Sequence, residues 1–426
     1  MKRNIIILAL IALIFSGCRK DADYHPYIGE TDKLTYDSYS TQFEYLWKSL
    51  SSGYVFWDVD ETDWDAVYEE YMPKFHALDA QHEAGQEVTL DDLNELYTGA
   101  MGGLRDHHMA IVIKNLHPAV SDTLPYFYVS PGEIEVEKRD YFTIPTFLLQ
   151  VYFKYQMDAE MTLLDNIEEQ ESFDGMLEEI GTGISYYYFL FRLPDGRKIP
   201  YFWQSAAVIS YVMNGTSASA QAAKAVVDKW LTAIKETPRE QLAGIILDNR
   251  ANGGGCQDDL DYLVGSFINE RTEVLKTRYK EGPGRLEYSP WVSYYIDPKP
   301  DYHRDITAEN IPFVVLTNIC SISMGEIEPA VMRHVMPTVH VIGERTYGAT
   351  GPLQPVSFID LNYGGPFGDQ NNMNHYIYTS TFEAQVGGKV LEGIGVTPDE
   401  IVLFKDHNTS FMPQFDAAIE YIKNYK

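Results

Sequence analysis

Apolar positions recur at helical spacing through residues 41–105. Phe43, Leu46, Trp47 and Leu50 form one stripe, and Trp64, Val67, Tyr68 and Tyr71 a second. A third stripe of Leu93, Leu96, Tyr97 and Met101 starts after Thr89, with Asp92 three residues on, and Gly102-Gly103 ends it. These helices deliver the chain to Leu104-Arg105-Asp106-His107-His108 and then to an apolar run from Met109 to Ile113. Between 109 and 200 the pattern changes. Aromatic stretches (Tyr126-Phe127-Tyr128, Tyr141-Phe142, Phe147-Leu148-Leu149) mix with an acidic segment from Asp158 to Glu179. Tyr186 to Arg192, the turn Pro194-Asp195-Gly196 and Ile199 to Trp203 read as two strands and their connection, so this region is expected to be strand-rich.

From about 200 the pattern becomes α/β. Ser205 to Met213 is predicted as a strand, and Ala218 to Ile234 as a helix with Ala222, Val226, Trp230 and Ile234 on one face. Gly244 to Asp248 and Phe313 to Thr317 are short, continuous apolar runs, as buried strands of a covered sheet are. Leu260 to Ile268 is predicted helical; a further helix runs from Met324 through Ile327, Val331, Met332 and Val335, and Val339 to Gly343 is another strand. Strands alternating with helices imply a sheet covered on both faces, with ligands near strand ends. The chain is α+β overall, with no internal repeat. Its expected segments are a leader (1–17), a tether (18–40), a helical domain (41–108), a strand-rich middle module (109–200) and an α/β domain (201–426).

Composition narrows the function. A formal charge of -29 over 426 residues excludes nucleic acid, and excludes attachment to anionic lipid through basic patches. At the start, Lys2 and Arg3 precede an apolar run from Ile5 to Phe15 that is too short to span a bilayer, which is the pattern of an export signal. Phe15-Ser16-Gly17-Cys18 resembles a bacterial lipobox. The resemblance implies cleavage before Cys18, lipidation there, and a lipoprotein held at either face of the outer membrane. An ordinary secretory signal is the alternative. Cys256 and Cys320 remain; they read as two free thiols, with a disulfide left open. No H-E-x-x-H or cysteine cluster is present, so neither metal nor cofactor is expected.

The candidate chemistry sits in four stretches. Strand, sharp turn and helix around Ser323 put a hydroxyl near the unpaired N–H groups of a helix start, which can stabilise an oxyanion. Ser323-Met324-Gly325-Glu326 is equally a capping box, and Pro329 can kink the helix it opens. In Asp248-Asn249-Arg250-Ala251-Asn252-Gly253-Gly254-Gly255, contiguous glycines allow a tight loop with exposed N–H groups, although neither a P-loop nor G-x-G-x-x-G is matched. Asp106-His107-His108 offers a general base, and Leu391 to Asp399 is a loop with two acids.

Taken in order, these stretches resemble the tail-specific, or C-terminal-processing, serine peptidase family and its tricorn-core branch. D-x-R-x-N-G-G-G stands at Asp248 to Gly255, the nucleophile segment at Ser321-Ile322-Ser323-Met324-Gly325-Glu326, G-E-x-T-x-G at Gly343 to Gly348, and G-V-x-P-D at Gly395 to Asp399. The dyad lysine of many relatives is absent, because Ala349 follows Gly348. The resemblance then implies Ser323 as nucleophile, His108 as base and later acid, and Glu392 orienting that base. It implies an oxyanion hole from Met324 N–H and one N–H of the Gly253–Gly255 loop, with Gly253 and Gly254 as the candidates, and an α/β catalytic core of crotonase/ClpP-like type. His107 stands where the tricorn type has serine, and 109–200 fills the slot of a PDZ domain without a PDZ signature. The expected activity is hydrolysis of peptides or proteins. A non-catalytic binding protein on the same scaffold, or an ester hydrolase, are the alternatives.

Overall fold

The computed structural model describes residues 37–120, 122, 126–139, 146–161, 164–353, 362–369, 374–403 and 412–426. The leader, Cys18, most of the tether and Tyr141-Phe142 lie outside the described residues.

The predicted N-terminal helices form at Tyr39–Gly53, Trp64–Glu83 and Leu90–Met101. Thr89 and Asp92 close the third with a capping box. Their apolar stripes bury Phe43, Leu46, Leu50, Trp64, Phe75, Leu93 and Tyr97 in one core. Two strands, β1 (Ala110–Lys114) and β2 (Tyr126–Val129), belong to the same core through Ile111, Ile113 and Val129. After helices at Pro131–Glu137 and Thr146–Met161 come β3 (Ile167–Leu177), β4 (Thr182–Arg192) and β5 (Lys198–Gln204). The rest of the chain adds β6 (Ile245–Asp248), β7 (Thr272–Arg278), β8 (Val292–Ile296), β9 (Phe313–Thr317), β10 (Val339–Gly343), β11 (Phe367–Asp369), β12 (Asn374–Tyr378), β13 (Glu383–Val386), β14 (Lys389–Val390) and β15 (Glu400–Ile401).

The central sheet has seven strands in the order β15-β10-β9-β6-β5-β4-β3. From β5 to β15 neighbouring strands are parallel, while β3, β4 and β5 pair antiparallel. Alternate side chains enter two cores. Phe202, Ile245, Leu247, Phe313 and Val315 meet Val226, Trp230 and Ile234 of the Ala218–Glu236 helix on one face. On the other, Tyr201, Trp203, Ile246, Val314 and Leu316 meet Phe153, Met157, Phe415 and Ile422. This two-sided burial is why the parallel strands read as unbroken apolar runs.

Three expectations need correction. The boundary between 200 and 201 cuts through β5, and the described part of 109–200 is no separate module: β1 and β2 join the helical core, and β3 to β5 extend the central sheet. Ser205 to Met213 is not a strand. Asp259 accepts the N–H groups of Ile209 (2.7 Å) and Ser210 (2.8 Å), and this capture starts a helix at Ile209–Asn214. The helix predicted over 260–268 is shorter, ending at Leu263. Both remaining cysteines are free. Among the described residues no helix is long and apolar enough to cross a membrane.

One buried ion pair braces the sheet beside its loops. Asp248, at the end of β6, receives Arg250 Nη2 and Tyr201 Oη, both at 2.6 Å, and both charged side chains are fully buried. Asp248→Ala strands the guanidinium without its anion, so a loss of about 3–5 kcal/mol is expected in chemical denaturation. A loss under about 1 kcal/mol would mean that the pair is not needed.

Candidate active site

The loops after β6, β9 and β10 leave the carboxyl ends of three adjacent parallel strands, the usual position of an α/β site. The first two are stapled together: Asn318 Oδ1 accepts Ala251 N–H at 3.0 Å, Ser321 Oγ donates to Asn249 carbonyl at 2.7 Å, and Ile322 N–H donates to Asn252 carbonyl at 2.9 Å. Ser323 then takes φ 59° and ψ -119°, an uncommon conformation for a non-glycine residue, as the turn passes into the Met324–Val335 helix. Pro329 sits within that helix without ending it. The close approach of the glycine loop explains its composition. A Cβ on Gly254, whose φ is +94°, would lie 2.5 Å from Ser323 Cβ.

Glu326 fixes the next loop against the serine. Its Oε2 accepts Ser323 N–H (3.2 Å) and Ala349 N–H (2.8 Å), while Oε1 accepts Gly348 N–H (2.7 Å) and the Thr346 hydroxyl. Burial pushes this carboxyl up to about 7 against the pull of those donors. Ser323 N–H also donates to Ala349 carbonyl at 2.9 Å. Ala349, standing where a dyad lysine would be, is buried in the core and meets Ser323 and Glu326 through its backbone.

The same strip continues to Glu392. Its Oε2 accepts Thr350 N–H (2.5 Å), Gly351 N–H (2.6 Å) and Thr350 Oγ1 (3.2 Å), and its Oε1 accepts His107 N–H at 2.7 Å. Gly393 N–H donates to Gly348 carbonyl at 2.8 Å, and Arg105 Nε to Glu392 carbonyl at 2.6 Å. The 391–395 loop is thus laid between the strip and the end of the helical region. Burial, then the charge of Asp106, pushes the Glu392 carboxyl well up.

His107 and His108 have separate environments. His107 is buried against Tyr347, with Nδ1 3.3 Å from Tyr347 carbonyl. His108 is half-buried, and its Nδ1, shielded from solvent, has no hydrogen-bond partner among the described residues. A ring nitrogen of His108 and one carboxylate oxygen each from Glu392 and Asp106 lie within 4.8 Å of one another. Burial drives His108 down to about 3, so the imidazole is neutral, the form a base requires. These three residues are the set among those described that could surround a cation. Their carboxylates, however, each accept several N–H or O–H donors, an environment built to hold negative charge through hydrogen bonds.

The expected oxyanion donors are only partly available. Gly253 N–H donates to Ser205 carbonyl at 3.0 Å and Gly254 N–H to Asn252 Oδ1 at 2.9 Å, so both are spent on holding the loop. Among the described residues Met324 N–H and Gly255 N–H have no acceptor. The sequence reading gave no role to Thr350 and Gly351, which act through backbone N–H groups and so leave little trace in side-chain identity. Asp106 lay within a quoted motif but was given no role either.

The site thus combines a serine of positive φ at a strand-to-helix turn of the central sheet with a histidine and buried acids held by the neighbouring loops. Residues 209–402 match the model of peptidase family S41. A carboxy-terminal-processing protease from Bartonella bacilliformis (strain ATCC 35685 / KC583 / Herrer 020/F12,63) is 26% identical over 166 residues, 39% of this chain and 32% of that protein. The carboxy-terminal processing protease CtpA of Bacillus subtilis (strain 168) is 30% identical over 133 residues, 31% of this chain and 24% of that one. The matched part thus spans a third or less of these curated relatives. Among solved structures, a candidate peptidase from Parabacteroides merdae ATCC 43184 aligns over 91% of this chain and 97% of its own, with TM-score 0.60 and 21% identity. Mature CPAF complexed with lactacystin aligns over 91% and 97%, with TM-score 0.53 and 12% identity. These two share the fold.

Gly254→Ala should displace Ser323 and slow labelling by a fluorophosphonate probe by about 100-fold, the scale of a 1 Å misplacement. Gly85→Ala is the control, because its added Cβ meets nothing within 4 Å although φ is +75°. Equal labelling of both variants would refute the packing argument.

Proposed function

We propose that the protein is an exported, lipid-anchored serine endopeptidase that cuts peptides or proteins through an acyl-enzyme, using Ser323, His108 and Glu392. The observation that carries this reading is one hydrogen-bonded strip, 346–351, that holds Ser323 through Ala349 and Glu392 through Thr350 and Gly351, with His108 beside the Glu392 carboxylate. Ser323 Oγ attacks the scissile carbonyl carbon as its proton passes to His108, and Glu392 balances the imidazolium. Collapse of the tetrahedral intermediate breaks the C–N bond, and the departing amine takes the proton from His108. Water, deprotonated by the same imidazole, then releases the acid product and frees the serine. The expected Met324 N–H, with Gly255 N–H in place of those of Gly253 and Gly254, is the donor pair available to the oxyanion. The chemistry requires no metal. Attachment rests on Cys18, through acyl chains at the outer membrane.

Ser323→Ala should abolish fluorophosphonate labelling and peptide hydrolysis with the melting temperature preserved; full labelling of that variant would remove Ser323 from the role. His108→Ala should lower kcat by about 100- to 10,000-fold, the range of a lost general base. Turnover of short esters but not of a peptide library would instead favour an esterase, and activity on neither a binding protein.

The pH profile carries a separate expectation. A base works when unprotonated, and burial moves the His108 pKa down to about 3. The acid limb of kcat/KM should therefore fall below about pH 6, under the ~6.5 of an exposed histidine. A limb at or above about pH 7 would contradict a buried, neutral His108.

A further inference from the structure

A second acid faces the same histidine. Asp106 is fully buried at the end of the helical region, and its carboxylate accepts His108 N–H (2.9 Å), Thr379 Oγ1 (2.6 Å), Ser380 N–H (2.7 Å) and Ser380 Oγ (3.1 Å). Its own N–H donates to Tyr54 Oη at 3.0 Å, and Tyr54 Oη donates in turn to Asp60 at 2.6 Å. Thr379 and Ser380 follow β12, which pairs with β1, so the strand that begins just after His108 also brings in the donors for Asp106. One Asp106 oxygen and one Glu392 oxygen lie within 4.8 Å of each other and of the His108 ring. Among the described residues no lysine or arginine side chain pairs with either carboxylate; Arg105 spends its guanidinium on the Glu392 and Val59 carbonyls. The other titratable groups facing this pocket are His107, Glu326, Tyr54 and Asp60 beyond it; Arg139, Arg345 and Glu135 lie on the far side of His107, where Arg139 donates to the Thr346 and Tyr347 carbonyls and Arg345 pairs with Glu135.

Two buried carboxylates this close, neither of them in a salt bridge among the described residues, disfavour each other's charge, and burial pushes both carboxyls up. Each also has enough donors to be the charged member. We propose that Asp106 is a positioning residue that forms, with Glu392, a carboxylate pair sharing one proton behind His108, so that either acid can carry the negative charge that balances the imidazolium. This rests on the Ser323–His108–Glu392 reading and deepens it. The imidazolium then meets a charge held by two sets of hydrogen-bond donors, and loss of one acid leaves the other to ionise.

The test is a double-mutant cycle in the full chain, measuring kcat, KM, the pH profile and melting temperature on a peptide substrate. Asp106→Asn and Glu392→Gln should each lower kcat by about 10- to 50-fold, with KM little changed, because the remaining acid takes the charge. The double variant should lose more than the product of the two, beyond about 2,500-fold, and its acid limb should move down by about one pH unit or more, because no anion is left to favour the imidazolium. If Glu392→Gln alone costs as much as the double variant, or if Asp106→Asn keeps wild-type kcat and acid limb, the shared charge is refuted. Should Asp106→Asn fail to fold, Thr379→Val with Ser380→Ala removes two hydroxyl donors and keeps the acid. That change should cost about threefold or less beside Glu392 but about tenfold more in the Glu392→Gln background. Equal losses in both backgrounds would also overturn the proposal. Failure of the underlying reading looks different: Ser323→Ala or His108→Ala would retain wild-type turnover whatever Asp106 does.

Discussion

Everything at the site depends on how residues 346–351 are held. Their backbone N–H groups are divided between two buried carboxylates. Glu326 takes those of Gly348 and Ala349, and Glu392 those of Thr350 and Gly351. Each acid is also tied to something else: Glu326 to Ser323 N–H, and Glu392 to His107 N–H. A strip without chemically distinctive side chains thereby sets the spacing between a serine on the central sheet and a histidine delivered by the N-terminal helices. Buried carboxylates suit this work because they accept several directed hydrogen bonds at once, and the cost of burying them is offset only if those donors stay in place.

The two halves of the molecule are coupled outside this strip as well. Arg278 pairs with Asp58 and with Glu383, and Arg285 pairs with Asp65 at 2.6 Å. These contacts connect the β7–β8 region to the helical core that carries His108. Arg105 adds a third link, reaching both the Val59 and the Glu392 carbonyls. The geometry of the candidate site is therefore a property of the interface between two hydrophobic cores.

Much of this was legible in the sequence because it rests on short apolar runs that end in distinctive loops. Phe313 to Thr317 and Gly244 to Asp248 read as buried strands for the reason that they are: both faces are covered. Ser323, His108 and Glu392 were named as candidates from ordered motifs, and of these the structure places His108 and Glu392 side by side. What failed was decided by partners remote in the chain. Ser205 to Met213 has the composition of a strand, yet Asp259 captures Ile209 and Ser210 and turns it into a helix. The aromatic strands from 182 to 204 look like a module of their own, but β5 pairs in parallel with β6 and merges them into the central sheet. The glycine loop promised free N–H groups at Gly253 and Gly254, and Ser205 and Asn252 consume both.

The most direct measurement of the central claim is to trap the covalent intermediate on the intact protein and locate it. A slowly hydrolysed peptide ester, quenched in acid during turnover and mapped by peptide mass spectrometry, should leave its acyl group on Ser323, with none accumulating once His108 is replaced by alanine. An acyl group on any other side chain, or the same accumulation without the imidazole, would contradict the assembly of serine, histidine and glutamate described here.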